Sequence, residues 1–320
     1  MFQGRNYSLS VFVCLIFLFG LLHACSGENQ QPIRIASNVW PGYEMIFLAR
    51  EKGFFNEKNI RLVEVPSATV CIQALEAGNV EGAMLTLDEV LTARATGLDL
   101  VIVAVLDVSL GADVLLVKPD IKNLAQLKGK RIGVEQSAVG AVMLDAALAE
   151  AKLNVKDVQI VYLTVNQHEK AYGENKVDAL VSFEPVSSKL LSAGAIKLYD
   201  SSRIPGRIVD VLAVLPKVVR NNPKVIHELV RSHFKARDYF LANPQEASVT
   251  LAKRLQIPPS EVPASFIGLE LTDTQENLLL LGGESPRLKD SAKNLMQIMI
   301  DAQLLPRELK LDTIISDKFI

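Results

Sequence analysis

The chain is 320 residues long, 49% hydrophobic and 22% charged, with 34 basic against 36 acidic side chains and a formal net charge of −2. So much apolar sequence with balanced charge excludes a disordered chain, and without a basic excess the chain is not one that binds nucleic acid by neutralising phosphates. Collagen-like, coiled-coil and disulfide-framework compositions are excluded as well, and the length suits about two domains with cores of their own.

Arg5 is the only charge in residues 1–24, and residues 11–24 are almost unbroken apolar sequence. Such a run falls short of the about 20 residues of a comfortable membrane span and suits the apolar centre of a signal peptide. Ala24-Cys25 ahead of the polar residues 26–32 resembles a bacterial lipoprotein processing box. That resemblance implies cleavage before Cys25 and its acylation, with residues 25–32 as a solvated tether. The alternative is an ordinary cleaved signal followed by an incidental cysteine. Loss of residues 1–24 removes one arginine and no acid, leaving a net charge of −3. Cys14 departs with the signal, and Cys71, between Val70 and Ile72, is expected to be a buried small hydrophobe rather than a nucleophile.

From residue 33 short β-branched runs alternate with helical periodicity, the pattern of an α/β protein with mainly parallel sheets. Strands are predicted over residues 33–37, 60–65, 82–85 and 100–106, and helices over 42–52, 68–77 and 88–95. Gly53 and Gly78 follow the first two helices, where a left-handed cap favours glycine. About 98 residues later the order repeats, with strands over 131–135, 158–163 and 177–181 and helices over 139–151, 167–172 and 185–193. At a shift of 96, Thr86-Leu87-Asp88-Glu89-Val90 falls on Ser182-Phe183-Glu184-Pro185-Val186, which matches Asp88 to Glu184. A strand over 208–214 returns the chain to the first half. Helices follow over 223–241, 244–254, 260–270, 273–280 and 287–302, the first two opened by Asn222-Pro223 and Asn243-Pro244 as cap and first-turn proline. The expected architecture is two similar lobes, residues 33–110 with 208–320 and residues 111–207, joined by two crossings, with the helical tail around the first lobe.

Ligands of open parallel sheets sit beyond the carboxyl ends of the strands, which selects particular loops. Trp40 and Tyr43, after the first strand, offer flat faces to a planar or apolar group, unless Trp40 is a core residue near the surface. Thr86 and Asp88 follow the third strand. Thr86-Leu87-Asp88-Glu89 also fits a capping box, and Asp88 and Glu184 each gain from a helix dipole. Asp107 and Asp113 lie where the chain leaves the first lobe, as hinge, ligand contact or both. Ser137, among small residues joining a strand to a helix, suits an oxygen-bearing group or is a plain cap. Asp210 marks the return crossing, near Arg203 and Arg207. The candidate lining thus holds Glu44, Asp88, Asp107, Asp113, Glu135, Glu184 and Asp210 against two arginines. Unpaired buried carboxylates are costly, so this set favours an amine or nitrogen heterocycle over a bare oxyanion.

Catalytic signatures are missing from the sequence. His227 and His233 are six apart, whereas zincin histidines are four apart on one helix face. No P-loop, nucleophile elbow or dinucleotide fingerprint occurs. Neither a catalytic residue, a metal nor a cofactor is expected.

Residues 40–44 (Trp-Pro-Gly-Tyr-Glu), 48–55 (Leu-Ala-Arg-Glu-Lys-Gly-Phe-Phe) and 127–133 (Leu-Lys-Gly-Lys-Arg-Ile-Gly) form a series. With Val177-Asp178-Ala179 leading into Phe183-Glu184-Pro185, they resemble the solute-binding proteins for nitrate, sulfonates, taurine and thiamine-pyrimidine precursors. The resemblance implies a type 2 periplasmic binding fold that closes on a small molecule and delivers it to an ABC permease powered by a cytoplasmic ATPase. It places Asp88, Ser137, Glu184 and the loop around Trp40 at solute contacts. It implies a monomer in the periplasm, lipid-anchored to a bacterial membrane, with no nucleic-acid partner. The acidic lining departs from the family's anion binders. Two rivals share the fold: a sensor subunit that reports ligand to a membrane signalling protein, and an enzyme like the eukaryotic thiamine-pyrimidine synthases, which carry a cysteine-rich segment and an active-site histidine.

Overall fold

Eleven strands are described, and they fall into two sheets. In chain order they are β1 (Ile33–Ser37), β2 (Ile60–Glu64), β3 (Gly82–Thr86), β4 (Val101–Ser109), β5 (Val114–Val117), β6 (Arg131–Val134), β7 (Gln159–Tyr162), β8 (Ala179–Ser182), β9 (Ile196–Asp200), β10 (Val209–Val214) and β11 (Leu269–Leu271). The first sheet has the order β11-β4-β10-β3-β1-β2 and the second β7-β6-β8-β5-β9. This computed structural model describes residues 31–135 and 138–320, so Ser137, Cys25 and the signal segment lie outside it. The chain crosses between the sheets twice, from β4 to β5 and from β9 to β10. The architecture is the two-lobed type 2 periplasmic binding fold.

Both sheets are covered on two faces, because alternate strand residues point to opposite sides. Ala83, Leu85, Val211 and Ala213 join Leu115, Val117, Ile132 and Val134 in one buried cluster. That cluster packs beneath α2 (Ala68–Glu76), α3 (Leu87–Ala95) and α4 (Ala138–Glu150). Ile35, Met84, Leu212 and Leu116 point the other way, toward α1 (Glu44–Glu51), α5 (His168–Gly173) and α6 (Val186–Ser192). On the same side lie α8 (Pro223–Ala242) and α9 (Pro244–Leu255), which follow α7 (Pro216–Asn221). The last helices, α10 (Thr274–Leu281) and α11 (Arg287–Asp301), pack on the first sheet and α3.

The two halves repeat at 97 residues. Strands β1 and β3 are parallel with Ile35 opposite Gly82, and β6 and β8 are parallel with Ile132 opposite Ala179, each residue 97 positions on. The repeat extends to an ion pair. Arg34 clamps Glu81 through its guanidinium at 2.7 Å and its own N–H at 2.9 Å. Arg131 and Asp178, again 97 positions on, repeat the clamp at 2.7 and 2.9 Å. Each pair ties the start of one strand to the residue before its neighbour. This register corrects the predicted shift of 96: Asp88 corresponds to Pro185, and Glu184 to Leu87.

Three strands were not foreseen. Strand β5 is only four residues, β9 runs antiparallel to it, and β11 has three residues on the edge of the first sheet. Length and periodicity cannot reveal such short segments, since their partners are remote. The helix predicted over 260–270 is instead two 3₁₀ turns, Pro259–Glu261 and Pro263–Phe266, followed by β11. Proline lacks the N–H an α-helix needs there. Asn222 and Asn243 precede their helices without making a side-chain cap, and Asn243 instead donates to the Tyr239 carbonyl at 3.2 Å. The outer edge of β4 is closed piecewise: Ile102 by residues 314–316, Val105 by the Asn277 amide, and residues 107–109 by β11. That leaves little edge to recruit another strand.

Gly133 lies in β6, where a Cβ would come 2.5 Å from Leu180 Cδ1 and within 3.2 Å of Leu163 and Val177. Gly133→Ala is expected to destabilise the fold by about 1–3 kcal/mol through overpacking, read as a lower urea midpoint.

Candidate functional site

The loops at the carboxyl ends of β1, β3, β6 and β8 surround a tight cavity of about 20 Å³, room for a water molecule. Asn38, Trp40 and Tyr43 come from the first loop, Thr86 from the end of β3, Glu135 and Phe183 from the second sheet. Glu89 joins from α3, Asp113 and Asp210 from the crossings, and Ala68 and Val139 add apolar surface. No lysine, arginine or histidine is part of this lining among the described residues. No three His, Cys, Asp or Glu side chains are grouped to hold a metal there either.

The first loop is held down by carboxylates. Asp107 and Asp210 stand opposite each other on β4 and β10. Trp40 donates its indole N–H to Asp107 Oδ1 at 3.3 Å, and Tyr43 donates its hydroxyl to Asp210 Oδ1 at 2.6 Å. Gly42 sits between these aromatics, and a Cβ on it would collide with the Asp107 carboxylate. Its lack of a side chain therefore lets the 3₁₀ turn Pro41–Tyr43 lie on β4. From outside, Arg254 on α9 donates to the Asn38 carbonyl at 2.9 Å, pairs with the buried Glu44 and lies 3.6 Å from the Phe47 ring centroid. Arg254 is thus a positioning residue, and its distance of 210 or more positions from its partners hid it from sequence reasoning.

Burial dominates the electrostatics. Desolvation raises Asp107 and Asp88 to about 7 and Asp113 to about 6. It raises Asp210 well above the usual carboxylate range, with the neighbouring Asp107 charge adding to the effect. Asp107 and Asp210 stand opposite each other, so a charge on either disfavours ionisation of the other. Glu44 rises to about 7 because burial outweighs the opposing pull of Arg254. Asn38 Oδ1, Asp113 Oδ2 and Asp210 Oδ2, all on cavity-lining residues, meet no donor group among the described residues. Buried acceptors of this kind cost free energy until a donor arrives.

Three contacts join the two sheets around the cavity. Glu135 Oε1 accepts from both the N–H and the hydroxyl of Thr69, each at 3.1 Å, so a carboxylate of the second sheet sits on the first turn of α2. Trp40 meets Phe183 edge to face, with ring centroids 5.3 Å apart. At the crossings, the Ser109 and Ser201 hydroxyls bond at 2.7 Å, and Ser201 Oγ also accepts from the Gly111 N–H.

Of the residues singled out in the sequence, Trp40, Tyr43, Thr86 and Asp210 line the cavity and Asp107 lies directly behind Trp40. Asp88 is buried at the start of α3 outside the lining. Glu184 is also outside it: its carboxylate accepts from Ser187 and Ser188 at 2.6 and 2.8 Å, on its own helix. The one-residue slip in the repeat accounts for this, since Glu184 takes the place of Leu87. Arg203 faces Glu150 on the surface at 2.7 Å. Asn38, Glu89, Ala68, Val139 and Phe183 were not foreseen as lining. For Asn38 and Phe183 the signal was available: each directly follows a strand, 97 positions from Glu135 and Thr86.

Residues 40–247 match the family model described as NMT1/THI5 like. A protein of Escherichia coli (strain K12) provisionally named as aliphatic sulfonates-binding is 28% identical over 216 residues, 67% of each chain. The 4-amino-5-hydroxymethyl-2-methylpyrimidine phosphate synthase THI11 of Saccharomyces cerevisiae is 25% identical over 225 residues, 65% of this chain and 66% of that one. The alkanesulfonate-binding protein SsuA from Xanthomonas axonopodis pv. citri, solved bound to MOPS, has the same fold. Its TM-score is 0.76 at 19% identity, covering 90% of this chain and 98% of that one.

Two outcomes follow from this geometry. Glu135→Ala removes both bonds from Thr69 to a charged acceptor and Thr69→Val only the hydroxyl bond, each bond worth about 1.5–3 kcal/mol at most. The sheets are expected to part more readily, so the fluorescence of Trp40, the only tryptophan, shifts to the red and becomes easier to quench with acrylamide. The second outcome concerns pH. Asp88, Asp107 and Asp210 bind protons more tightly folded than unfolded, so their contribution to stability is full at low pH and is lost as pH rises through their folded pKa values. His168 and His233, lowered by burial to about 4 and about 3, act in the opposite sense below about pH 6.5 and are neutral in both states above it. The ligand-free melting temperature is therefore expected to fall from pH 7 to 8.5, by up to about 1.4 kcal/mol per pH unit for each carboxyl still protonated. Asp210→Asn is expected to flatten that slope in a scanning-calorimetry series.

Proposed function

Given that the chain belongs to the NMT1/THI5-like family, we propose that it is the solute-binding component of an ABC importer, taking up a small amine or nitrogen heterocycle outside the cytoplasm. The observation that carries this is the cavity's excess of acceptors: Asn38 Oδ1, Asp113 Oδ2 and Asp210 Oδ2 are buried in a lining that has no basic side chain among the described residues. A ligand bearing N–H donors relieves the unpartnered acceptors Asn38 Oδ1, Asp113 Oδ2 and Asp210 Oδ2, whereas a sulfonate of the kind named for the relatives brings acceptors only. Trp40, Tyr43 and Phe183 supply the apolar and aromatic walls for a flat molecule, to which a cation adds attraction for the ring faces. Asp210 and Asp113 are the anchoring acceptors, and Asp107 holds Trp40 in place. Closure of the lobes on the ligand is a hinge motion about residues 110–113 and 201–208, favoured by contacts made only when both lobes engage.

The mature protein starts at an acylated Cys25 and stands at the membrane surface on the tether of residues 25–32. No described helix is long and apolar enough to cross a membrane. Asp88 and Glu184 act on the ends of their helices rather than on the ligand, and Ser137, outside the described residues, remains a candidate contact. A synthase-like reaction is the weaker reading, because Cys71 is buried and its thiol is pushed well up by desolvation, which silences it as a nucleophile.

A thermal-shift screen of amines, aminopyrimidines and alkanesulfonates tests the proposal. A true ligand at about a hundredfold excess over Kd stabilises by about 2.7 kcal/mol and raises the melting temperature by roughly 5 °C. Asp210→Asn and Asp113→Asn are each expected to weaken that response at least about tenfold in apparent affinity. A response to sulfonates alone, indifferent to both substitutions, would reject the ligand class. Loss of uptake on deletion separates an importer from a sensor.

A further inference from the structure

Helix α8 presents a row of basic groups: Lys224, Arg231 and Lys235, with His227 between them, are exposed along one side. Lys224 and His227 line one groove with Arg231 and Lys235, and a second groove with Arg220 and Lys318, so the basic face is continuous. The two acids of α8, Glu228 and Asp238, line the same groove as this row, and each is engaged by another group. Glu228 accepts from the Asn56 N–H at 2.8 Å and from the Asn59 amide at 3.5 Å, and Asp238 pairs with Arg237 at 2.9 Å. Lys235 rests over the Phe54 ring, 3.9 Å from its centroid. In a chain of net negative charge, this concentration of exposed cations without an acidic partner among the described residues stands out.

Its location gives it meaning. Asn59, which touches Glu228 through its side chain, accepts through its carbonyl from the N–H of Ile33 at 2.9 Å. The row therefore borders the first residue of β1, where the tether joins the fold, while the cavity lies beyond the opposite end of that strand. A chain of eight residues, 25–32, spans at most about 29 Å. On the reading that Cys25 is acylated, the start of β1 beside this face is held within that distance of a bilayer.

We infer that the Lys224–Arg231–Lys235 face of α8 rests on an anionic lipid headgroup surface and parks the protein with its cavity mouth turned away from the membrane. Each basic side chain gains from the negative surface potential within about a Debye length, and the short tether makes lipid the nearest anionic partner. Delivery then requires release of this face, so that the mouth can turn to the permease.

The mature chain from residue 25, carrying Cys25→Ser and hence no lipid, is the test protein. It is expected to sediment with vesicles of phosphatidylglycerol and phosphatidylethanolamine but not with phosphatidylcholine. Binding is expected to drop about tenfold or more between roughly 20 and 300 mM salt. Lys224→Glu/Arg231→Glu/Lys235→Glu is expected to lose at least about tenfold in vesicle binding with an unchanged melting temperature, and the gentler triple glutamine variant a smaller factor. Equal binding to neutral vesicles overturns the inference, as does a charge-reversed variant that still binds. Failure to bind anionic vesicles alongside charge-dependent crosslinking to the permease also overturns it, and assigns the face to a protein. Palmitate labelling of Cys25 in cells reports on the anchor separately, so loss of that reading is distinguishable from loss of this one.

Discussion

Two carboxyl groups forced together on neighbouring strands set the character of the site. Asp107 and Asp210 are register partners on β4 and β10, both buried, and cannot both hold a charge there at low cost. Three features are fitted to that fact. Trp40 and Tyr43 each bring one donor, Gly42 gives up a side chain to let them approach, and burial shifts both carboxyls toward the protonated form. The loop is then held from outside by Arg254 and Glu44, a buried ion pair that fixes position more than it adds stability.

Repeat and crossing contribute different chemistry. The 97-residue repeat places Asn38 and Glu135 after the first strand of each half, and Thr86 and Phe183 at the third. These residues make the walls. The acids that decide the charge, Asp107, Asp113 and Asp210, lie on or beside the crossing segments, outside the repeated units. On the proposed reading, a ligand that meets Asp113 and Asp210 engages the hinge itself, which would link recognition and lobe closure in one place. Glu135 adds a link across the mouth, where its carboxylate is stabilised by the first turn of α2.

The fold was legible where local patterns are strong. Strands β1, β2, β3 and β6 and helices α1 to α4, α8 and α9 follow from alternation, glycine caps and first-turn prolines, because a period of 2 or 3.6 is written in the order of the residues. Strands β5, β9 and β11 were not, because they stand outside the strand–helix alternation that marks the others and owe their conformation to antiparallel pairing with distant partners. Pro259 and Pro263 did mark a break, yet proline shows only where a helix fails, not that a strand will follow.

For the site, the residue order by itself determined the two-half α/β plan, the loops that face a ligand and their acidic composition, since each is a property of neighbours along the chain. Tertiary structure alone decided which acids matter. Asp107 and Asp210 are joined by strand register, Asp113 reaches the cavity at a crossing, and Glu184 turns onto its own serines because the repeat is offset by a single residue. Burial is a sum over all neighbours in space, and it alone converts a row of acidic letters into groups that keep protons or call for a donor.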